Sequence, residues 1–574
     1  MSVAKPRLNK DTALRLPPMS ADDLRELCGL GLAALFDFEA QNRPVFFRGA
    51  RELMEPDNQP NPPDEECFPT ATAHALLALI DTGVKTGASL PSDSTRVVVE
   101  RTTESGVRIP GSDQDILKSF SMHARVREFL THNPREGEAA ENGQTWLERI
   151  CATSSHWNMN EGDEDNDGEG NRPDPKPLIV LGHVVPAMIF AVQRSELVDR
   201  ESLQDNDRAA LNYGLKASID QVANILDYSE DSLVSRDIDG MGYRPYIQRY
   251  QPTDPTEPSD HTPTYLLLNA ACVVESVLKR DDYLKHADNE PNILPEPTRA
   301  LAQQMFRDLG HCFYRRVERG MAARDIPDDT TFDPLGLAFA ARGWALCDRG
   351  VRERPLFREA IAAVAKRQVD DGCWPDGAAT DDRQGVATQQ PSIEVAFNLA
   401  AAAYSREMRT RPTESDLTLL DAVRAPLQRY ARFLELTWNN GGDPTTPRDG
   451  GRFSGWASDR SRASRNAETW ITALAVRFLH FTALIVEAKE RARIQRDYKI
   501  EIRRRRTARS AEHLDPCGSF RSEVVEPDQI TKPVEAITKQ FIEPIAKKIR
   551  EDRYVTRPDK DGVSLLLFGP PRSG

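Results

Sequence analysis

Pro391-Ser-Ile-Glu-Val-Ala-Phe-Asn-Leu-Ala-Ala-Ala-Ala-Tyr404 is the stretch that most directly predicts the fold of this chain. It begins with a Pro–Ser pair, it is rich in alanine, and its few polar residues form no continuous face. Alanine is the strongest helix former, and a helix that is apolar nearly all round is buried on all sides. The stretch therefore predicts an inner helix of a helical domain.

Other segments repeat this pattern and alternate with amphipathic helices. Buried helices that alternate with half-exposed ones are typical of an α/α toroid, and the last four buried segments recur about every 60 to 80 residues, close to one helix pair with its loops. An irregular helical domain with alanine-rich core helices is the alternative. The further buried segments are residues 69–80, 178–190, 262–271, 333–341 and 468–479, and the amphipathic ones are residues 297–316, 357–369 and 416–438.

The domain organisation follows from these segments and from the polar stretches between them. We expect a mainly α protein, in which an α/α toroid-like domain is followed by a helical linker and the first strand of an α/β P-loop domain. Ser20 is the predicted N-cap of the first helix. The predicted parts are a flexible arm (1–20), the toroid-like domain (21–485, with polar insertions near 134–176 and 250–262), a charged helix and linker (486–533, its helix solvent-facing from Thr482 to Arg506), and a leading helix with the first P-loop strand (534–574).

Two loops before buried helices share a tryptophan pattern. They read Gln368-Val-Asp-Asp-Gly-Cys-Trp-Pro-Asp-Gly377 and Gly450-Gly-Arg-Phe-Ser-Gly-Trp-Ala-Ser-Asp459. The first resembles the Gln-Trp repeat of triterpene cyclases, in which Gln, Gly and Trp tie one α/α repeat to the next. The resemblance implies the repeat architecture. It does not extend to the chemistry, because the chain has no Asp-x-Asp-Asp motif and no Asp-Asp-x-x-Asp motif.

The same loops contain the candidate ligand-binding and catalytic residues. Asp371, Asp376 and Asp459 could act as the paired carboxylates of a toroid glycosidase, or they could be helix caps. Trp374 and Trp456 could form the rim of a ligand site or pack in the core. In a third loop, Tyr243 and Arg244 could bind an anionic ligand at the same rim.

The last residues resemble the start of a nucleotide-binding motif. The apolar run 563–568 leads into Gly569-Pro-Pro-Arg-Ser-Gly574, which has the Gly-x-x-x-x-Gly spacing of a P-loop. In a P-loop, Lys and then Ser or Thr come next. The resemblance is to AAA-type ATPases, and it implies nucleotide contacts from Gly569, Pro570, Pro571, Arg572, Ser573 and Gly574. It also implies ATP with Mg²⁺ as ligand of the longer protein. Because the lysine is absent, we expect no bound nucleotide and no ATP hydrolysis with residues 1–574 alone. An apolar strand with a Gly/Pro/Ser-rich tail is the alternative.

Composition limits the classes of protein to which the chain can belong. The net charge is −14, which argues weakly against a nucleic-acid coat. The eight cysteines and ten histidines are scattered, so neither a disulfide framework nor a zinc site is predicted. Residues 163–168 have part of a calcium-loop spacing, but position 12 is Asp174 instead of glutamate. We expect no metal, no signal peptide and no membrane span, hence a cytoplasmic protein.

The preferred functional interpretation is a regulatory, sensing or partner-docking helical module of a P-loop ATPase. It predicts a protein partner or self-association and leaves an unknown small ligand open. One alternative is an α/α-toroid enzyme that acts on a carbohydrate or an isoprenoid. A second is a structural oligomerisation module that uses the charged helix at residues 482–506.

Overall fold

The chain is described by a computed structural model over residues 18–37, 50–52, 69–83, 176–194, 205–226, 264–287, 294–323, 333–348, 350–369, 372–374, 389–405, 413–440, 454–456 and 466–498. This described part is mainly helical, as predicted. Described residues up to Ala492 belong to one compact unit, called the helical body below. Residues 493–498, which end the last described helix, belong to a second unit.

Eleven α-helices lie in the described part of the chain. They are α1 (Ala21–Asp37), α2 (Pro69–Thr82), α3 (Lys176–Arg194), α4 (Asp205–Ile225), α5 (Thr264–Ala287), α6 (Glu296–Ala323), α7 (Pro334–Cys347), α8 (Pro355–Lys366), α9 (Gln389–Ala403), α10 (Glu414–Thr437) and α11 (Thr469–Tyr498), with a 3₁₀ turn at Val351–Glu353. Every buried and amphipathic helix named from the sequence overlaps one of them.

Several of these helices begin at capping residues. The Asp23 N–H donates to Ser20 Oγ at 3.1 Å, and the Ser20 N–H donates back to the Asp23 carboxylate at 2.9 Å, which confirms Ser20 as the N-cap of α1. Thr413 and Asp416 make the same reciprocal pair at the start of α10. Asp333 accepts from the Leu335 N–H at the start of α7, where Pro334 occupies the first turn. Each cap satisfies backbone donors that a helix leaves unpaired at its N-terminus.

The six apolar helices form an inner layer in which chain neighbours pack side by side. Contacts join α2 to α3, α3 to α5, α5 to α7, and α7 to α9. On α11, the Phe481 ring lies 6.2 Å from the Phe397 ring of α9, between centroids. Arg477 of α11 donates from Nε to the carboxylate of Asp81 on α2 at 2.6 Å. The last inner helix is therefore in contact with the first one as well as with its chain neighbour.

The amphipathic helices form an outer layer on these inner helices. In this layer α4 contacts α6, α6 contacts α8, and α8 contacts α10. The chain before α1 reaches α10 through the main-chain oxygen of Met19, which accepts from Gln428 Nε2 at 2.5 Å. Helix α8 shows why these helices lie in the outer layer. Its buried residues, such as Phe357, Ile361 and Val364, recur at helical spacing, so only one face of the helix is apolar.

Short strands join the ends of the described segments. Strand β1 (Ala50–Glu52) pairs antiparallel with β4 (Asn466–Glu468), which runs directly into α11. Strand β2 (Asn439–Asn440) pairs antiparallel with β3 (Ser454–Gly455) after α10. These pairings fix the entry to α11 relative to the chain segments around it.

The inner helix α7 approaches the outer helix α6 closely at Gly343. An added Cβ at Gly343 would stand 2.4–2.5 Å from three atoms of the Phe313 ring, which is fully buried. We expect Gly343→Ala to lower the free energy of unfolding by about 1–3 kcal/mol, because neither the ring nor the backbone can yield without repacking the core. Urea unfolding followed by circular dichroism measures this change.

Gly350→Ala is the matched control for that substitution. A Cβ there would meet only the Asp348 carboxylate at 3.5 Å, and the backbone φ of −83° suits alanine. The control should be neutral or slightly stabilising, because alanine restricts the unfolded chain. Equal stability of the two variants would contradict the close packing of α6 and α7.

The structure differs from the sequence-based expectation at two helices. Helix α4 was not predicted. The charged helix was predicted to face solvent from Thr482, whereas Thr482, Ile485 and Val486 are buried. The charged side chains of this part of α11 are paired with other helices: Glu487 forms an ion pair with Arg25 of α1, and Lys489 forms one with Asp421 of α10. These pairs allow this part of α11 to pack against the helical body instead of facing solvent.

Several predicted segments lie outside the described residues. They are residues 1–17 of the arm, residues 134–175 of the first insertion, the second insertion, and residues 499–574, which include the linker, the leading helix and the P-loop strand.

Helix α11 is also the one described helix long and apolar enough to span a membrane. Its residues Thr469–Ala492 have a mean hydropathy of 1.6 in their most apolar window, and 89% of that window is buried inside the protein. Its apolar character is accounted for by its place in the core.

Candidate functional site

A group of polar side chains lies among the six apolar inner helices. Each inner helix contributes at least one polar residue, although most of its other side chains are apolar and buried. Because burying a polar group costs free energy unless it is paired, such a group needs an explanation. We call it the polar cluster. It consists of His74 and Asp81 (α2), His183 (α3), Cys272 (α5), Arg342 (α7), Asn398 (α9) and Arg477 (α11).

Two arginines on one phenylalanine ring form the centre of this cluster. The guanidinium carbons of Arg342 and Arg477 each lie 4.6 Å from the ring centroid of Phe397. Arg342 Nη1 donates to the amide oxygen of Asn398 at 2.8 Å, and Arg477 Nε donates to Asp81 at 2.6 Å. Two cations from different helices thus contact the same ring through cation–π interactions.

Most N–H groups of these two guanidinium groups remain available. A guanidinium group carries five N–H donors. Within the described part of the chain, the bond to Asn398 is the only hydrogen bond of Arg342, and the bond to Asp81 is the only one of Arg477. None of their nitrogen atoms is a fully buried, unpartnered atom. The free donors therefore face accessible space.

The two histidines of the cluster are held as neutral imidazoles. The ring centroids of His74 and His183 are 4.1 Å apart. Burial, followed by the nearby positive charges of Arg477 and Arg342, lowers the pKa of His183 to about 3. Burial and the neighbouring His183 hold the pKa of His74 well below its usual range. His74 Nδ1 is buried and makes no hydrogen bond.

Some cluster residues keep accessible surface within the helical body, and we call the recess that they border the enclosed space. Arg342, His183 and Cys272 are half-buried by their accessible surface. Burial among protein atoms is nevertheless the main cause that lowers the pKa of Arg342 and His183 and raises the pKa of Cys272. These groups are surrounded by protein atoms and keep some accessible surface, so they border a recess of the helical body. The half-buried rings of Trp470 and Phe481 on α11 lie beside the same residues, at 6.4 Å from His74 and 6.2 Å from Phe397.

The polar cluster carries one positive charge at neutral pH. Arg342 and Arg477 are cations, Asp81 is an anion, and the histidines, the Cys272 thiol and Asn398 are neutral. Glu275, one turn from Cys272, is neutralised by Lys279 at 2.6 Å. The chemistry of this arrangement is that of an anion-binding site with apolar walls.

Trp374 and Trp456, for which the sequence left open a ligand rim or core packing, lie at equivalent places in the core. The indole N–H of Trp374 donates to the main-chain oxygen of Val364 at 2.7 Å, and its backbone N–H donates to Ser392 Oγ at 3.0 Å. Neither Trp374 nor Trp456 has exposed surface, so no ligand can reach these rings in this structure. What they do instead is tie each outer helix to the next inner helix.

Trp456 repeats the bonds of Trp374 one helix pair later. Its indole N–H donates to the main-chain oxygen of Leu434 on α10 at 2.9 Å, and its backbone N–H donates to Thr472 Oγ1 on α11 at 3.1 Å. The first loop adds a further tie, because Gln368 Nε2 donates to the oxygens of Gly372 and Pro426.

The other candidates from the sequence lie outside the described residues. They are Asp371, Asp376, Asp459, Tyr243, Arg244 and Gly569–Gly574. Among the described residues, no three His, Cys, Asp or Glu side chains could hold a metal ion together. The polar cluster was missed, although its signal was visible as single histidines or arginines inside otherwise apolar helices.

In comparisons with known proteins, no protein-family model, no curated protein and no solved structure matches the chain.

Proposed function

We propose that the chain is a cytoplasmic regulatory module, an α/α toroid that senses a small ligand and precedes an ATP-binding P-loop domain. The toroid is supported by the two-layer packing of the helices. Neighbouring inner helices are in contact from α2 to α9, and α11 bridges α9 and α2. The tryptophan ties of Trp374 and Trp456 support the same architecture, because they repeat between successive helix pairs.

The polar cluster supports binding of a ligand more than its chemical conversion. A general base works best with a pKa near the working pH. The pKa values of His74 and His183 are far below neutrality, and the Asp81 carboxylate is bound by Arg477. The available groups are guanidinium donors, which bind anions and cannot act as bases.

The observation that carries the regulatory proposal is the continuity of α11. This helix holds Trp470 and Arg477 beside the enclosed space and continues to Tyr498. Residues 499–574 follow it and lead to the Gly569–Gly574 motif. A ligand that shifts the backbone at Arg477 would shift the rest of α11, because the backbone of a helix is hydrogen-bonded along its length. We infer that such a shift is the signal passed along the chain toward Gly569–Gly574.

The P-loop part of this proposal has a direct test. If the codons that follow Gly574 specify Lys and then Ser or Thr, a polypeptide that includes them should bind ATP with Mg²⁺, and replacement of that lysine should abolish binding. Residues 1–574 alone should bind none. Titration with a fluorescent ATP analogue measures nucleotide binding by the longer polypeptide, by its lysine variant and by residues 1–574. Other residues at those two positions would refute the ATPase assignment.

A further inference from the structure

We propose that the enclosed space of the helical body binds a small monocarboxylate with an apolar or aromatic body, and that Arg342 and Arg477 together hold its carboxylate group. This inference rests on the proposed sensing function and names the chemical class of the ligand.

The free hydrogen-bond donors define where the carboxylate sits. Arg342 and Arg477 are on different helices, and each contacts the ring of Phe397. Each uses one N–H on a protein acceptor, Asn398 or Asp81, which orients the guanidinium plane. The remaining N–H groups can grip a carboxylate with parallel hydrogen bonds, the geometry that guanidinium groups prefer.

Charge balance selects a monoanion. The two guanidinium groups and the Asp81 carboxylate leave one unbalanced positive charge, and Glu275 is already neutralised by Lys279. Two like charges in an enclosed site repel each other and have lost much of their hydration. One carboxylate would neutralise the cluster, whereas a phosphate dianion would place an excess negative charge in the same low-dielectric space.

The walls of the space select an apolar body for the ligand. Phe397 supports both arginines, and the half-buried rings of Trp470 and Phe481 line α11 on either side of Arg477. Aromatic walls favour apolar and aromatic groups through area burial and ring contacts.

Ligand-observed NMR on the 574-residue chain tests the inference with two probes of matched shape and one inorganic anion. The matched probes are 3-phenylpropanoate and its uncharged amide, and the anion is phosphate. We expect 3-phenylpropanoate to bind and to raise the thermal unfolding midpoint. The amide and phosphate should bind at least tenfold more weakly.

Substitutions of the two arginines assign the site. Arg342→Gln and Arg477→Gln should each weaken 3-phenylpropanoate binding by about ten- to a hundredfold, because a hydrogen bond to a charged group contributes this much to affinity. Arg315→Gln is the matched control: Arg315 is an exposed arginine on α6 that forms a surface ion pair with Glu318. It should bind the probe as the wild type does.

Unfolding midpoints of the free variants separate a binding role from a purely structural one. Arg342→Gln should leave the ligand-free midpoint unchanged or raise it, because it removes an unbalanced buried charge and glutamine can still donate to Asn398. If Arg342 serves only to hold α7 and α9 together, the midpoint falls and probe binding is not specifically lost. That result overturns the inference. If the variants unfold, the inference is tested by comparing how tightly the wild-type chain binds the acid and the amide.

Two further outcomes contradict the inference, namely equal binding of acid and amide, or no binding of the acid at millimolar concentration. Either result leaves the ATPase assignment untouched. Conversely, carboxylate binding without Lys and Ser or Thr after Gly574 refutes only the link to a P-loop domain.

Discussion

Trp374→Ala should lower the free energy of unfolding of the helical body by about 3–5 kcal/mol. The indole is fully buried and packs edge-on against Tyr430 of α10 with 5.7 Å between ring centroids. Its removal leaves a cavity between α8, α9 and α10, and it also removes the hydrogen bond to the Val364 oxygen. A loss of this size is comparable with the whole stability of many domains. Chemical denaturation followed by circular dichroism measures it.

Trp374→Phe separates the ring from its hydrogen bond. Phenylalanine fills most of the cavity but cannot donate to Val364, so the cost should fall to about 1–2 kcal/mol. Leu436→Ala is the surface control, because Leu436 is 41% exposed, and it should change stability by less than about 0.5 kcal/mol. If Trp374→Ala costs no more than this control, the tryptophan does not tie the helices.

Trp456→Ala should behave like Trp374→Ala, because the two residues make equivalent bonds. Trp456 is also fully buried, packs on Trp438 with 4.5 Å between centroids, and bonds Leu434. A large loss at one tryptophan and none at the other would show that the helix pairs are not equivalent.

These tryptophans also illustrate how far the sequence could predict the structure. Local sequence signals were sufficient to predict most helices. The apolar character of residues 391–404 and the capping role of Ser20 can both be recognised from adjacent residues. The link between repeats at Trp374 and Trp456 was implied by the resemblance of the first loop to the Gln-Trp repeat of triterpene cyclases. Helix α4 was missed although Leu211, Leu215, Ile219 and Val222 recur at the spacing of one helix face. The polar residues between them lower its mean apolar character, and its buried face is covered by α5 and α6.

The sequence shows single polar residues in apolar helices but not that they meet, because the members of the polar cluster are brought together only by tertiary packing. Arg477 and Asp81 are 396 positions apart in the chain, so nothing in a local window pairs them. In isolation, Arg477 on an apolar helix indicates only a misplaced charge, and His74 indicates only a core histidine. The interpretation changes once both are found beside Arg342 and Phe397.

The histidine pair should make the helical body sensitive to acid between about pH 6.5 and 4.5. The unfolded chain binds a proton at each histidine with a pKa of about 6.5, whereas folding lowers the pKa of His183 to about 3 and that of His74 well below its usual range. Above pH 6.5 both states are neutral and stability is complete. As the pH falls, only the unfolded state gains protons, and folding loses about 1.4 kcal/mol per pH unit for each histidine. His183 alone would remove about 2–3 kcal/mol by pH 4.5, and His74 adds to this loss.

His183→Gln isolates this effect, because glutamine is polar and does not titrate. Stability measured by urea unfolding at several pH values should fall about half as steeply in the variant, since one of two proton-linked groups is gone. His311→Gln, at an exposed histidine on α6, should leave the slope of the wild type unchanged.

Protonation of His183 is unfavourable in the folded state because Arg342 and Arg477 face it from α7 and α11. A third positive charge beside them would have no partner, since Asp81 is bound to Arg477 and Glu275 is bound to Lys279. A wild-type stability that stays constant from pH 6.5 to 4.5 would mean that the enclosed space admits a counter-ion or water that protects the protonated pair, and a carboxylate ligand bound there should have the same protective effect.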